Sequence, residues 1–216
     1  MTKVVLTGST GMVGSAVLRA LIAEPRVTGI TSISRRPSGV QDAKLTEMTN
    51  IGFEDAAALA PYFAGASVIF HCLSAYSNKV DNDTYDRVTL TYLQSVLDAA
   101  AIACPEATIA LHGASGASQQ GRSWTRALNI KGQAELLLRD SPLPRKLIFR
   151  PGYIAPTRPE HQKGLMDLIG RPLFRLFPAT GTTDSDLGRA MVRAVFDDTE
   201  SETIYENRDI RALVAS

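Results

Sequence analysis

Residues 4–14 read Val4-Val5-Leu6-Thr7-Gly8-Ser9-Thr10-Gly11-Met12-Val13-Gly14, a short apolar run that leads directly into a glycine-rich turn. The run predicts a buried strand, and apolar residues that recur at helical intervals after the turn predict a helix. In such a turn Gly8 permits a tight bend, Gly11 lets the backbone approach a pyrophosphate, and Gly14 lets the helix pack closely on the strand. The segment therefore predicts a dinucleotide-binding turn.

A helix that begins at this turn presents free N–H groups to phosphates. We expect the cofactor to be contacted by Gly8, Ser9, Thr10, Gly11, Met12 and Val13. The same glycines would also serve a strand-to-helix loop that binds nothing. A phosphate-binding P-loop is excluded because no Gly-Lys-Ser/Thr follows the turn.

Two adjacent arginines indicate which dinucleotide is bound. The second apolar run ends in Ser34-Arg35-Arg36, about twenty residues after the last glycine, where an NAD site places an acid against the ribose hydroxyls. Guanidinium groups suit a 2′-phosphate, which they bind through charge-assisted hydrogen bonds. The pair favours NADP(H) over NAD(H), the alternative being a solvated strand end.

Further apolar runs alternate with helical segments along the chain, which predicts an α/β fold of the Rossmann type, with a doubly wound parallel sheet. Ligands bind at the carboxyl ends of the strands in such sheets. The predicted strands are residues 4–6, 27–34, 45–49, 67–71, 108–112 and 146–149. Long helices are expected around residues 85–103 and 125–139, either to cover the sheet or to pair two subunits.

The chain of 216 residues is interpreted as one domain, with residues 1–150 as the cofactor-binding core and 151–216 as a small substrate-side region. In that region we predict helices at 164–176 and from Asp184 or Ser185 to about Phe196, and a short strand at 203–205. Five prolines interrupt it, which suits either a substrate pocket or ordinary surface loops.

The amino-acid composition limits the classes of partner that we expect this protein to bind. Lys and Arg total 23 against 22 for Asp and Glu, so we expect neither nucleic acid nor an anionic membrane as a partner. Cys72 and Cys104 with three scattered histidines, at 71, 112 and 161, lack zinc-ligand spacing, so no metal is predicted. The few cysteines and the lack of a charged-then-apolar leader favour a cytoplasmic location.

These features together resemble the atypical short-chain dehydrogenase/reductases, in particular the NmrA-like and Tat-interacting-protein-like oxidoreductases. The resemblance covers most of the chain and is carried by Gly8 to Gly14, Arg35 and Arg36, Phe70-His71-Cys72-Leu73-Ser74, Ser115, Lys131, and Arg150-Pro151-Gly152. It implies that Asn50 lies near the adenine and that Leu73, Ser74, Lys131 and Pro151 line the cofactor.

The resemblance also implies a catalytic Ser, here Ser115, and a Tyr-x-x-x-Lys pair in which Tyr transfers the proton. Lys131 is present, but Ala127 occupies the tyrosine position. Tyr76 and Tyr153 are possible substitutes, although each also suits a packing role. Ser115 as a hydrolase nucleophile is disfavoured because Ala117 replaces the second glycine that the motif requires.

Two functions remain open. The first is an oxidoreductase that moves hydride between NADP(H) and a small-molecule substrate, with Ser115 polarising the reacting oxygen and Lys131 holding the ribose. The second is a non-catalytic NADP(H)-binding redox sensor or interaction protein, which Ala127 favours. A nucleotide-sugar epimerase is disfavoured by the small C-terminal region. The protein is expected to be a monomer or a homodimer.

Overall fold

The computed structural model describes residues 2–159, 172, 174–197 and 200–215. Within them, seven parallel strands form one sheet in the order β3-β2-β1-β4-β5-β6-β9, and β7 and β8 form a separate parallel pair. The strands are β1 (Thr2–Thr7), β2 (Val27–Ser34), β3 (Leu45–Thr49), β4 (Val68–His71), β5 (Thr108–His112), β6 (Arg145–Arg150), β7 (Tyr153–Ala155), β8 (Gly181–Thr183) and β9 (Glu202–Glu206). The predicted α/β fold with a parallel sheet is confirmed.

Helices flank this sheet, and seven of them have both ends within the described residues. They are α1 (Met12–Ala23), α2 (Ala56–Leu59), α3 (Asn82–Asp86), α4 (Tyr92–Ala103), α5 (Arg126–Asp140), α6 (Asp184–Asp197) and α7 (Asn207–Ala215). A π-helical turn, Arg87–Thr91, joins α3 to α4. Short 3₁₀ turns occur at Ala60–Phe63 and Pro178–Thr180.

Alternation along the strands produces a core on each face. In β1, Val4 and Leu6 join one apolar cluster with α1 and α6, whereas Val5 joins the other with α4 and α5. Successive side chains of a strand point to opposite faces, so a strand buried on both sides reads as a continuous apolar run. The two clusters therefore bury β1 on both faces in the interior of the sheet.

The strand order reverses between β1 and β4. On one side the chain proceeds to β2 and β3, and on the other side to β5 and β6. Such a reversal leaves a crevice at the carboxyl ends of the two central strands, where open α/β sheets bind their ligands. The glycine-rich turn follows β1 and Leu73 follows β4, so both lie at this crevice.

The C-terminal region differs partly from the sequence predictions. The predicted strand at 203–205 is found as β9, and it pairs in parallel with β6 at the sheet edge. The predicted helix from Asp184 is found as α6. Most of the helix predicted at 164–176 lies outside the described residues, as does His161; residues 172 and 174–176 are helical. Neither the β7–β8 pair nor α7 was predicted.

Candidate dinucleotide site at the carboxyl ends of the strands

The glycine-rich turn is closely packed at two of its three glycines. Gly8 has a φ of +81°, and a Cβ there would lie 2.9 Å from the main chain of Cys72 and Leu73. A Cβ on Gly14 would lie 2.1 Å from the carbonyl oxygen of Gly8. Only glycine fits at these positions, so the turn holds β1, β4 and the first turn of α1 together.

Gly11 is different because its surroundings are open. It is exposed, and a Cβ there would meet only the Gly8 carbonyl oxygen, at 3.4 Å. Gly11 is the N-cap of α1, supplies no side-chain cap, and is followed by a first turn without acidic residues. The N-terminal N–H groups of α1 therefore face open space without a competing carboxylate, which is an arrangement that binds anions.

The neighbours of Gly11 in the turn have distinct environments. Ser9 is buried, and its hydroxyl accepts a hydrogen bond from Ser32 at 2.7 Å, which fastens the turn to β2. Val13 is buried in the apolar cluster beside α1. Thr10 and Met12 are half-buried. The side chains of Ser9 and Val13 are therefore buried within the protein. A ligand at the turn would contact the main-chain atoms of these two residues.

The arginine pair lies beyond the end of β2. Both side chains are exposed, and neither guanidinium group makes a hydrogen bond or ion pair with any residue that the structure describes. The hydroxyl of Ser34 donates to the carbonyl oxygen of Arg36 at 2.6 Å and fixes the main chain there. Asn50, after β3, is exposed with a φ of +59°. Two unneutralised guanidinium groups at this point are suited to a phosphate.

Beyond β4 and β6 the remaining expected cofactor residues line the same edge of the sheet. Leu73 is half-buried and Ser74 is exposed after β4. Ser115 is exposed after β5, and its N–H donates to the carbonyl oxygen of buried Pro151 at 2.9 Å. This bond joins the loops that follow β5 and β6, so it holds Ser115 at the mouth of the crevice.

Lys131 is buried beneath that edge rather than solvated on the helix surface. Its side chain is 8% exposed, and Nζ donates to the carbonyl oxygen of His112 at 3.2 Å. Burial lowers the pKa of Lys131 to about 8, an effect opposed by the nearby Cys72 and Glu135. His112 ends β5, so this hydrogen bond holds Lys131 of α5 against the carboxyl end of that strand.

Two histidines and a cysteine surround this lysine. Burial, reinforced by the charge of Lys131, lowers the pKa of His71 and of His112 to about 3. His71 Nδ1 shares a hydrogen bond of 3.0 Å with the Thr7 hydroxyl, whereas both ring nitrogens of His112 are buried without a hydrogen-bond partner in the described structure. Burial raises the pKa of the Cys72 thiol to about 12, so this thiol is protonated at neutral pH.

Three tyrosines lie near Ala127 or at the strand ends, and each makes a contact that a phenol at position 127 would not make. Ala127 is half-buried, and its carbonyl oxygen accepts a hydrogen bond from Tyr85 at 3.4 Å. Tyr153 packs against Phe174 with ring centroids 6.1 Å apart, and exposed Tyr76 lies 4.8 Å from Lys79 Nζ. Each of these three tyrosine rings therefore has a different neighbour.

One residue at this site had no signal in the sequence. Arg158, in the loop after β7, donates from its guanidinium to the hydroxyl of Ser15 in the first turn of α1. This contact brings a cation from the C-terminal region to the N-terminal end of α1. It spans 143 positions in the chain, so no local pattern could have predicted it.

Other features of the described residues lie away from this edge. An open surface pocket of about 390 Å³ lies between α1, α6 and α7, beside Arg26, Arg189 and Leu213. Histidine, cysteine and acidic side chains nowhere gather in threes with metal-binding geometry in the ranges described. Helices there are all too short or too polar to cross a bilayer.

A family model described as the NAD dependent epimerase/dehydratase family matches residues 4–129, from β1 to the first turn of α5. The chain belongs to this family. The match includes the glycine-rich turn and the arginine pair, and it ends two residues before Lys131. The resemblance to atypical short-chain dehydrogenase/reductases is confirmed by this membership and by the fold.

Curated relatives of this epimerase/dehydratase-family chain include two fungal proteins. One is "Protein fmp52, mitochondrial" of Emericella nidulans, 31% identical, with 74% of this chain and 70% of the relative covered. Another is "Protein fmp52-1, mitochondrial" of Aspergillus terreus, 27% identical over the same shares. These names contradict the predicted cytoplasmic location. Two buried, free cysteines are compatible with any reducing compartment, so they could not identify one.

Solved structures of the same fold are more distant in sequence. WbmH of Bordetella bronchiseptica, in complex with NAD+, is 19% identical with a TM-score of 0.72, covering 95% of this chain and 75% of that one. MoeE5, in complex with UDP-glucose and NAD, is 18% identical with a TM-score of 0.71 and the same coverage. A Burkholderia thailandensis oxidoreductase of the short chain dehydrogenase/reductase family is 16% identical with a TM-score of 0.69, covering 100% and 93%.

Proposed function

We propose that this chain binds NADP(H) and is an oxidoreductase that transfers hydride between that cofactor and a small organic substrate. Residues 1–150 form the cofactor-binding core and 151–216 the substrate side of one domain. The observation that carries the proposal is the open N-terminus of α1 at Gly11, combined with two unpaired arginines at the end of β2. The names of the family and of its NAD-bound structural neighbours support a nicotinamide dinucleotide.

The residues present fit such a cofactor at each of its parts. Main-chain N–H groups at the start of α1 bind the pyrophosphate, and Arg35 and Arg36 bind the 2′-phosphate. Asn50, Leu73, Ser74 and Pro151 complete the lining as the resemblance implies, and Lys131 holds the nicotinamide ribose. The bound nicotinamide supplies the hydride chemistry.

On the substrate side, Ser115 donates a hydrogen bond from its hydroxyl to the reacting oxygen, which polarises that oxygen and orients the substrate. The hydrogen bond from the Ser115 N–H to the Pro151 carbonyl oxygen holds Ser115 at the mouth of the crevice. Lys131 carries a positive charge below about pH 8, and its ammonium donates to the His112 carbonyl oxygen. Ala127 contributes no proton, so the protonation step is not assigned to a side chain on this helix face.

The cofactor assignment is tested by titrating the purified chain with NADPH and with NADH while following nicotinamide fluorescence. We expect tighter NADPH binding, and loss of that preference in the double variant Arg35→Ala/Arg36→Ala. The double variant Arg208→Ala/Arg211→Ala on α7 removes the same charge at a distant helix and should bind as the parent chain does. Equal binding of the two nucleotides would overturn the NADP assignment, and binding of neither would overturn the site.

A second candidate function is a redox sensor that binds NADP(H) without turnover, and Ala127 is the observation that favours it. The two functions differ in the role of Ser115. For an enzyme, Ser115→Ala lowers turnover with little change in NADPH affinity; for a sensor, NADPH alters proteolytic protection or partner binding, and no substrate is consumed. The mitochondrial names of the fungal relatives support a mitochondrial location for either function.

A further inference from the structure

A fully buried carboxylate shares one face of α5 with Lys131. Glu135 lies four residues after Lys131 on this helix, so the two side chains point in the same direction. Glu135 has no exposed surface, and its two oxygens accept hydrogen bonds from Arg150 at 2.8 and 2.5 Å and from Gln119 at 3.2 Å. A buried charge is tolerated in a protein when its partners are fixed around it in this way.

The partners of Glu135 come from the two segments that carry the proposed site residues. Arg150 ends β6 and directly precedes Pro151, whose carbonyl oxygen accepts a hydrogen bond from the Ser115 N–H. Gln119 lies in the loop after β5, which also contains Ser115. The Glu135 carboxylate is therefore anchored to both of the loops that meet at the mouth of the crevice.

The same carboxylate lies against the end of β5, where Lys131 is held. Gly113 directly follows His112, and a Cβ at Gly113 would lie 3.2 Å from Glu135 Oε1. His112 supplies the carbonyl oxygen to which Lys131 Nζ donates at 3.2 Å. Lys131 and Glu135 thus lie beside two consecutive residues of the chain.

The groups around Lys131 differ in whether they carry a charge. Those that interact with it electrostatically are His71, Cys72, His112 and Glu135. Burial lowers the pKa of both histidines to about 3 and raises the pKa of the Cys72 thiol to about 12, so these three groups are neutral near pH 8. Burial lowers the pKa of Lys131 to about 8, and the negative charge of Glu135 opposes this effect. Of the four groups, Glu135 is the one that stabilises the ammonium form.

From these observations we propose that Glu135 is a positioning residue of the nucleotide site, which keeps Lys131 charged and directed to the nicotinamide ribose. The inference rests on the proposed function, in which Lys131 binds that ribose. Glu135 touches neither nucleotide nor substrate, because its side chain has no exposed surface. Its removal should therefore act through Lys131 and not through a lost ligand contact.

The pH dependence of NADPH binding tests this role. Nicotinamide fluorescence is followed on the full chain from about pH 6 to about pH 10, a range that spans the lysine titration. Lys131 loses its proton as the pH rises through about 8, so we expect the Kd of the parent chain to rise by about tenfold across this titration. Glu135→Gln removes the charge that favours the ammonium, so the midpoint of this rise should fall by about one pH unit. An unchanged midpoint in Glu135→Gln would overturn the proposal.

Glu206 provides a matched control for this experiment. It accepts a hydrogen bond from the same Arg150 at 2.9 Å, but its side chain is 42% exposed, so water screens its charge. Glu206→Gln removes the same charge from the same arginine, and we expect it to move the midpoint much less than Glu135→Gln does. Equal shifts in the two variants would mean that the titration follows the net charge around Arg150, and would also overturn the proposal.

A double-variant comparison separates this role from a general effect on folding. Lys131→Met should weaken NADPH binding by about tenfold at pH 7 and remove the rise in Kd near pH 8. In that background, Glu135→Gln should change the Kd by less than about twofold, because the residue through which it acts is absent. The same loss of affinity from Glu135→Gln with and without Lys131 would show that the carboxylate serves packing alone.

Urea unfolding establishes whether each variant is folded at the pH of the titration. If Glu135→Gln does not fold, the double variant Glu135→Leu/Arg150→Leu takes its place, because it contains neither charge of the buried pair. We expect the same lower midpoint in this chain. A parental midpoint there would contradict the role of Glu135.

The two proposals fail in different ways. If Lys131→Met weakens NADPH binding but the Glu135 variants keep the parental midpoint, the positioning role is wrong and the cofactor site stands. If Lys131→Met binds NADPH as tightly as the parent chain, Lys131 does not hold the ribose, and the positioning role is rejected with that assignment. If NADPH does not bind, the proposed function is wrong and the positioning role is rejected with it.

Discussion

A methyl group on Gly14 would lie 2.1 Å from the Gly8 carbonyl oxygen, whereas the same group on Gly11 would approach that oxygen no closer than 3.4 Å. We therefore expect Gly14→Ala to lower the free energy of unfolding by about 1–3 kcal/mol, as overpacking does.

Gly11→Ala should fold with nearly parental stability but bind NADPH more weakly, because its methyl occupies the open space before α1. Urea unfolding and nucleotide titration measure the two effects separately. Parental NADPH affinity in Gly11→Ala would contradict a pyrophosphate at this point.

A buried ion pair joins α5 to the edge of the sheet. Glu135 is fully buried and accepts hydrogen bonds from Arg150 at 2.8 and 2.5 Å, and Arg150 also reaches Glu206 at 2.9 Å. Arg150→Leu removes the cation that is hydrogen-bonded to the buried Glu135 carboxylate, so we expect a loss of about 3–5 kcal/mol in urea unfolding. The double variant Arg150→Leu/Glu135→Leu should recover much of this loss. A double variant as unstable as the single one would show that the pair is needed for packing rather than for charge balance.

His112 makes the folded chain sensitive to acid. Its pKa falls from 6.5 to about 3 on burial, so the unfolded chain binds more protons than the folded one between these values. The stability that neutral His112 preserves is present above pH 6.5 and is lost as the pH falls towards 3, by at most about 1.4 kcal/mol per pH unit. We expect His112→Phe to flatten this dependence in unfolding experiments from pH 7 to pH 4. His71 continues to titrate in that variant, so part of the slope should persist.

Because neither ring nitrogen of His112 has a hydrogen-bond partner among the residues described, His112→Phe should cost little stability at pH 7. A large loss at neutral pH would reveal a partner for the imidazole.

Arg158 should contribute to nucleotide affinity although it lies far from the glycine-rich turn in sequence. Its guanidinium contacts Ser15 in the first turn of α1, where it adds positive charge to the end of the helix. We expect Arg158→Ala to raise the Kd for NADPH by about five- to tenfold, a loss typical of one charge-assisted contact. Arg158→Lys should retain part of the affinity. An unchanged Kd in the alanine variant would mean that the residue only fastens its loop to α1.

The sheet could be predicted largely from sequence because most of its strands are continuous apolar runs. The predicted bounds of β2, β3 and β5 agree with the structure, and β1, β4 and β6 differ by one or two residues. The β7–β8 pair could not be predicted in this way. Each of its strands has three residues, and they pair across 28 positions, so their extended form depends on tertiary contact rather than local pattern.

The site was predictable where its residues follow a motif and not where they depend on packing. Gly8, Gly11 and Gly14 occupy the turn that their spacing predicted. The environment of Lys131 was not evident, because a lysine in a helix is ordinarily solvated and its burial requires the end of β5 to pass above it. The contact of Arg158 joins two distant parts of the chain, which sequence periodicity does not report.

The helices α1 and α6 lie side by side in the same direction, with Gly188 against Ala16 near their starts and Asp197 paired with Arg26 at their ends. Both therefore direct a positive dipole end to one edge of the sheet, yet only α6 carries acidic residues, Asp184 and Asp186, in its first turn. An anion that approached this edge would meet carboxylates at the start of α6 and none at the start of α1. Under the proposed function, Asp184 and Asp186 therefore direct the pyrophosphate away from α6 and towards α1.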